Sequence, residues 1–303
     1  EDKTGKYYVN ENNNIISDSE KLRKLHNFIK SKLIGGTLSS FNGKVKVLDL
    51  SCGQGGDISK YINYKSNVSL LVGVDISSNI HEACRRYYCN KDKQKTKAAF
   101  FRGDTSKNII RGEVSDVEDG TPEDKKHADT VVNILFNKKS KIPKDYEDIN
   151  NRFNGLANSG FDVVSSQFSM HYYFKNKTTF EGFIENLKDN VKHNGYFIGT
   201  CYNGEYIFDY FKELKKSIDN IRKKEESELD DDTDDTEDSE DYLLERKQEL
   251  DQLEREYIYK DTKGNIIFSI EKDYDIEDFE YREGDESNIF GNKINVYMDS
   301  IGQ

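Results

Sequence analysis

The sequence predicts an α/β fold: a mostly parallel, doubly wound sheet with helices on both faces, and a small β region inserted near the C-terminus. Three observations predict it. Short β-rich runs recur along the chain at Val45 to Leu50, Leu70 to Asp75, Ala98 to Phe101, Phe161 to Ser166 and Tyr196 to Thr200. The pieces between them are too long for hairpins but fit crossover helices, as in Asn79 to Tyr88 and Thr178 to Val191. The first run also passes straight into a glycine-rich turn, Ser51-Cys52-Gly53-Gln54-Gly55-Gly56, where open parallel sheets receive ligands.

Taken in order, residues 1–16 carry too few apolar groups to hold an element and are expected to form a flexible arm. Ser17-Asp18-Ser19 supplies N-cap chemistry. Leu22, Leu25, Phe28, Ile29 and Leu33 then recur at helical spacing until Gly35-Gly36, where the pattern predicts a stop. The core spans 17–221. Within it, 111–158 is polar and reads as an insertion that swells a loop, with helix around Ala128 to Phe136. Residues 222–256 form an acidic insertion, partly disordered over Asp230 to Asp241, then helical through Leu243, Leu244, Leu250 and Leu253. Residues 257–303 return to β structure around a Lys263-Gly264-Asn265 turn.

Composition narrows the class. No apolar run approaches the roughly 20 residues that a membrane span requires, and the opening Glu1-Asp2-Lys3 has no apolar signal core. The chain therefore reads as a soluble, intracellular piece of a longer gene product with no membrane partner. Cys52, Cys84, Cys89 and Cys201 form no Cys-x-x-Cys pair and have no nearby histidine at zinc-ligand spacing. They are expected to be reduced core thiols, and no metal is expected. Taken over the whole chain, the net charge of −12 argues against nucleic acid. Between Glu225 and Glu256, however, 17 acidic and 3 basic residues give a local charge of −14, which leaves the rest at +2. A nearly neutral body suits an enzyme that holds one nucleotide end in a pocket.

The most informative stretch is Val47-Leu48-Asp49-Leu50-Ser51-Cys52-Gly53-Gln54-Gly55-Gly56-Asp57. A dinucleotide fingerprint needs Gly-x-Gly-x-x-Gly, and its third position here is Ile58. The run instead resembles the first motif of Rossmann-like methyltransferases, whose turn receives the amino-acid end of S-adenosylmethionine. Asp75 ends the second predicted strand, where a carboxylate can accept both ribose hydroxyls. Asp104 follows the third strand, placed for the adenine amino group.

The fourth strand runs into Gln167-Phe168-Ser169-Met170-His171-Tyr172, which resembles the Gln-Phe-x-x-His-Tyr motif of the messenger-RNA cap guanine-N7 methyltransferases. Leu22-Arg23-Lys24-Leu25-His26-Asn27-Phe28-Ile29-Lys30-Ser31 and Asn194-Gly195-Tyr196-Phe197-Ile198-Gly199-Thr200 are similar to the same family. The resemblance covers residues 22 to about 204. It implies that Lys30, Ser51, Gly53, Asp75, Asp104, Gln167 and Tyr172 hold S-adenosylmethionine, with Lys30 on its carboxylate. It implies that His26, Asn27, Lys60 and His171 face the cap at the 5′ end of the messenger, His171 against the guanine. It further implies a partnership with other capping-enzyme domains, work in the nucleus if the gene is cellular, and at a cytoplasmic replication site if it is viral. Ser51 stands where the family usually has glycine, Gln54 where it often has lysine, and Tyr87 where an arginine is expected, with Arg86 one place earlier. The family continues past the equivalent of Gln303 with the last strands of its sheet, so 257–303 reads as a cap-side region of a truncated chain.

Guanine N7 attacks with an in-plane lone pair and loses no proton, so the implied reaction needs no general base and no catalytic acid or base is assigned. Holding the nucleophile in line near 3–3.5 Å can be worth roughly 7–11 kcal/mol, and a neutral His171 would serve positioning alone. Two alternatives use the same residues differently: methyl transfer to another substrate, or a non-catalytic scaffold whose acidic segment recruits a basic partner.

Overall fold

The computed structural model describes residues 18–63, 67–138, 141–229, 237–276 and 289–298. The predicted arm at 1–16 lies outside them. The described residues fall into two compact units, one of Asn27–Tyr202 and one of the described parts of 18–26 and 203–298.

The first unit holds β1 (Val45–Asp49), α2 (Ile58–Tyr61), β2 (Val68–Asp75), α3 (Ile80–Cys89), β3 (Lys97–Arg102), α4 (Pro122–Leu135), α5 (Glu147–Phe153), β4 (Phe161–Gln167), α6 (Lys177–Asn190) and β5 (Val191–Thr200), preceded by α1 (Asp18–Ser39). The five strands form one parallel sheet in the order β3-β2-β1-β4-β5. Because β1 pairs with β2 on one side and β4 on the other, the strand order reverses beside it. This reversal opens a crevice at the carboxyl ends of β1 and β4.

Side chains leave the sheet alternately and build two apolar layers. Leu48, Val72, Val74, Phe101 and Val164 pack on one face with Val131, Val132 and Leu135 of α4 and Phe183 of α6. Val47, Leu71, Phe100 and Val163 pack on the other with Ile34 and Leu38 of α1, Ile58 and Tyr61 of α2 and Ala83 of α3. The near-continuous apolar run of β2 is that of an inner parallel strand covered on both sides.

The structure departs from the sequence expectations at several points. α1 continues through Gly35-Gly36, because Ile34 just before the expected stop and Leu38 beyond it are both buried and outweigh the roughly 1 kcal/mol each glycine costs a helix. Its predicted apolar stripe is instead exposed at Leu25, Phe28 and Ile29. The polar stretch 111–158 is core rather than a swollen loop: α4 carries six buried residues, and Phe153 and Ala157 join the same layer. α4 is set by Thr121 and Asp124 in a reciprocal capping box, with Pro122 opening the helix. Of the four cysteines only Cys52 is buried, and Cys84, Cys89 and Cys201 are exposed thiols.

The second unit contains α7 (Gly204–Leu229), α8 (Glu237–Arg255) and an antiparallel sheet of β6 (Glu256–Lys260), β7 (Ile266–Asp273) and β8 (Lys293–Met298) in the order β6-β7-β8. Arg222 pairs with Asp251 at 2.6 Å and Glu254 at 2.9 Å, while Arg246 pairs with Glu225 at 3.1 Å. The crossed sequence order of these pairs makes α7 and α8 antiparallel. Much of the predicted acidic insertion is therefore helical. Residues 237–241, where disorder is predicted, begin α8, and 230–236 lie outside the described residues.

Candidate functional site

The glycine turn follows β1 into the crevice. Gly53 and Gly55 have φ of +51° and +77°, a region that glycine enters without strain. A Cβ on Gly55 would sit 2.9 Å from the Ala83 Cα, whereas Gly53 faces open space and leaves bare backbone for a ligand. Ser51 is not among the residues with positive φ, so serine fits where the family has glycine. The Gly53 N–H donates to Asp75 Oδ2 at 2.7 Å, and the Ser77 N–H to Asp75 Oδ1 at 2.9 Å. Each carboxylate oxygen keeps a lone pair for a further donor. Burial pushes the Asp75 carboxyl up.

Asp104 is held by the loop after β3. Its Oδ1 accepts from the Ser106 N–H at 3.0 Å and hydroxyl at 2.6 Å. That loop is pinned from α6 by buried Asn186, whose amide donates to the carbonyls of Thr105 and Lys107 at 2.8 Å each and accepts from the Ile109 N–H at 2.9 Å. A Cβ on Gly182 would collide with the Ser106 carbonyl, so α6 can approach the loop only with glycine there.

Arg102, the last residue of β3, is buried and donates to the Ile76 carbonyl at 2.9 Å and to Asp124 at 3.1 Å, with a further ion pair to Asp119. It ties the segment after Asp75 to the one before Asp104.

Asp49, at the end of β1, is buried and accepts from the Ser51 N–H at 3.2 Å. Desolvation first, then the nearby Asp57 charge, pushes its carboxyl up to about 7.

Lys30, Asp57, Lys60 and Asn27 form one polar cluster beside the turn. Asp57 accepts from Lys30 at 2.9 Å and from Lys60 at 2.7 Å, and Lys60 also donates to Asn27 Oδ1 at 3.0 Å. The Lys30 ammonium stands 5.8 Å from the centre of the Phe168 ring. A groove of about 230 Å³ opens nearby, lined by Gly55, Gly56, Ile58, Ser59, Arg86 and Asn90.

From β4, Gln167 is buried; its amide donates to Ser165 at 3.0 Å, and its carbonyl accepts from Thr200 at 3.1 Å. Phe168 has φ +56°, a strained value for a bulky residue, fixed by bonds from its N–H to the Thr200 carbonyl at 2.8 Å and hydroxyl at 3.0 Å. A 3₁₀ segment, Met170–Lys175, follows. In it the His171 ring lies 4.3 Å from that of Tyr172 and 5.0 Å from that of Tyr202. The Nδ1 atom of His171 is buried with no hydrogen-bond partner among the described residues, and burial lowers its pKa. Tyr172 is 68 % exposed. His26 falls in the second unit.

Sequence reasoning passed over Asp57, Ser166 and Ser169. Asp57 stood in the quoted motif, and its spacing of three from Lys60 was the available signal. The Ser166 and Ser169 hydroxyls lie 2.9 Å apart, and both approach Ser51. Nothing in the sequence marks that meeting. Among the described residues no group of three or more His, Cys, Asp or Glu could hold a metal ion, and no helix is long and apolar enough to cross a membrane.

Strand order, glycine turn and strand-end carboxylates define an α/β protein of the Rossmann-like methyltransferase class. The family model of the mRNA (guanine-N(7))-methyltransferase domain matches residues 7–228, and the chain belongs to that family. Among its relatives, a protein of Acanthamoeba polyphaga mimivirus named "Probable mRNA-capping enzyme" is 28 % identical over 66 % of this chain and 15 % of its own length. The mRNA cap guanine-N(7) methyltransferase of Cryptococcus neoformans is 28 % identical over 66 % of this chain and 26 % of its own. That of Debaryomyces hansenii is 32 % identical over 62 % and 33 %. The chain thus spans between about a seventh and a third of the length of these relatives.

Proposed function

We propose that this chain transfers the methyl group of S-adenosylmethionine to N7 of the guanine cap at the 5′ end of messenger RNA. The observation that carries the reading is the seam between β1 and β4. Both halves of the motif set, the glycine turn and the Gln167 to Tyr172 run, leave adjacent hydrogen-bonded strands at the same carboxyl end.

The residues fit the cofactor. Gly53 leaves bare backbone, and Asp75 keeps lone pairs for the two ribose hydroxyls. Bound there, S-adenosylmethionine supplies the electrophilic methyl group. Asp104 would accept from the adenine amino group, and Ser51 and Lys30 would meet the amino-acid end. Because Asp57 already pairs with Lys30, it would fix the ammonium for the incoming carboxylate. Gln167 has engaged part of its amide inside the sheet, so its role would be to shape the wall, with exposed Tyr172 folding over the ligand.

Asn27, Lys60 and His171 would face the cap; His26 keeps only the role the resemblance implies. An Nδ1 with no partner among the described residues, in a ring whose pKa burial lowers, suits a purine edge, since a cation beside N7 would oppose the positive charge that develops there. Arg86 in the groove, now bonded to Glu82 at 2.9 Å, would supply a cation for the cap phosphates where Gln54 and Tyr87 cannot. No general base is needed. The partners of this activity would be the capped transcript and other capping domains. The place of work would be the nucleus for a cellular gene and the cytoplasmic replication site for a viral one.

The test is methyl transfer from labelled S-adenosylmethionine to GpppG-capped RNA by the full-length gene product. Label in N7 of the cap guanine, and none in the uncapped transcript, is expected. Cofactor binding without cap-dependent transfer would assign another substrate, and no cofactor binding would leave a scaffold.

A further inference from the structure

Ser169 stands at the N-cap of the 3₁₀ segment Met170–Lys175, yet its hydroxyl makes no capping bond. Serine at that position ordinarily turns its oxygen toward the orphan N–H groups of the turn it opens. Here the hydroxyl points instead at Ser51 and Ser166, forming a three-hydroxyl cluster across the seam between β1 and β4. The carbonyl of the same residue accepts from the Tyr172 N–H at 3.1 Å. One residue therefore touches the glycine turn through its side chain and the His171–Tyr172 segment through its main chain. The preceding residue is Phe168, whose left-handed backbone persists only while its surroundings hold it. Ser51 itself departs from the glycine usual in the family, and only a side chain at that position can reach across the seam.

We propose that Ser169 is a positioning residue that couples the cofactor turn to the substrate-facing segment: a ligand seated on the turn fixes Ser51, and through Ser169 it fixes the main chain that presents His171 and Tyr172. The proposal rests on the cofactor reading above. Its physical content is a two-ended link whose ordering cost one ligand meets and the next does not.

The experiment uses the full-length protein and S-adenosylhomocysteine, which binds as the cofactor does but cannot react. Amide hydrogen exchange of peptides spanning 168–173 is followed with and without it. Exchange in the wild type is expected to slow at least fivefold on binding. Ser169→Ala should bind S-adenosylhomocysteine within threefold of wild type but lose that slowing, and Ser169→Thr, which keeps the hydroxyl, should restore it. In parallel, the affinity for a GpppG cap analogue is expected to rise at least threefold with S-adenosylhomocysteine in the wild type and to be indifferent to it in Ser169→Ala.

Retained slowing in Ser169→Ala, no slowing in the wild type, or loss of cofactor binding together with melting temperature in the variant would each overturn the coupling. Absence of S-adenosylhomocysteine binding to the wild type would overturn the cofactor reading and this proposal with it. Protection of 168–173 without any cap-analogue binding would uphold the coupling and remove the cap.

Discussion

Replacing Asp49 by asparagine isolates the electrostatic cost at the end of β1. Burial is the first cause that lifts this carboxyl from its ordinary 3.8 to about 7. At roughly 1.36 kcal/mol per unit, a shift of about three units makes the ionised form cost the fold on the order of 4 kcal/mol. The sign follows from the direction of the shift. A raised pKa favours the folded state fully below pH 3.8, and that advantage is lost as the pH rises through about 7. Asparagine keeps an acceptor for the Ser51 N–H and removes the charge. Urea unfolding of Asp49→Asn and wild type at pH values from 4 to 8.5 should therefore diverge. The two curves should nearly coincide at pH 4, separate in favour of the variant as the pH rises, and run parallel above about pH 7.5, a few kcal/mol apart. A gap that does not change with pH, or a variant less stable at pH 8, would refute the claim that Asp49 is a desolvated carboxyl.

Asp75→Ala removes both the grip on the Gly53 N–H and the charge-assisted acceptor proposed for the ribose, and should weaken S-adenosylhomocysteine binding by about 1.5–3 kcal/mol. A calorimetric titration within twofold of wild type would defeat that assignment. His171→Ala should cut cap-dependent turnover at least tenfold, with melting temperature and cofactor affinity close to normal; a parallel fall of all three would make it a packing histidine instead. Gly55→Ala places a Cβ 2.9 Å from the Ala83 Cα at a φ of +77° and should destabilise the protein by more than about 2 kcal/mol. Gly56→Ala, with open space around its Cβ, should change stability by under about 1 kcal/mol in the same thermal melts. Equal effects of the two would show that the turn is not shaped as described.

The parallel sheet was legible because its strands are apolar on both faces, and such runs stand out against polar crossovers. Boundaries were less so. β5 begins at Val191 rather than near Tyr196, because Asn194 with φ +62° sits in an irregular stretch that the pattern reads as a turn. The stop at Gly35-Gly36 was overridden by burial of Ile34 and Leu38, a tertiary effect with no local signature. The misreading of 111–158 has the same origin: α4 shows charge along its first two turns and hides a few apolar residues behind them. For the candidate site, the glycine turn and strand-end carboxylates were readable because spacing alone implies their place. Asp57 needed the fold to bring Lys30 back from 27 residues away. The meeting of Ser51 with Ser169 joins residues 118 apart and could only be seen once β1 and β4 lay side by side.

The separation along β1 also orders the folding of the sheet. β1 reaches β2 across contacts such as Ser69 with Val45, 24 residues apart, but reaches β4 across contacts such as Lys46 with Asp162, 116 apart. Closing the longer loop costs about 1.4 kcal/mol more in chain entropy, so β1, β2 and β3 should zip first and β4 with β5 should dock last. The crevice lies on that final seam and does not exist before it closes. A ligand seated there can act only on the finished sheet, as a latch on the last step. It should slow unfolding in proportion to its occupancy and leave the folding arm of the chevron unmoved.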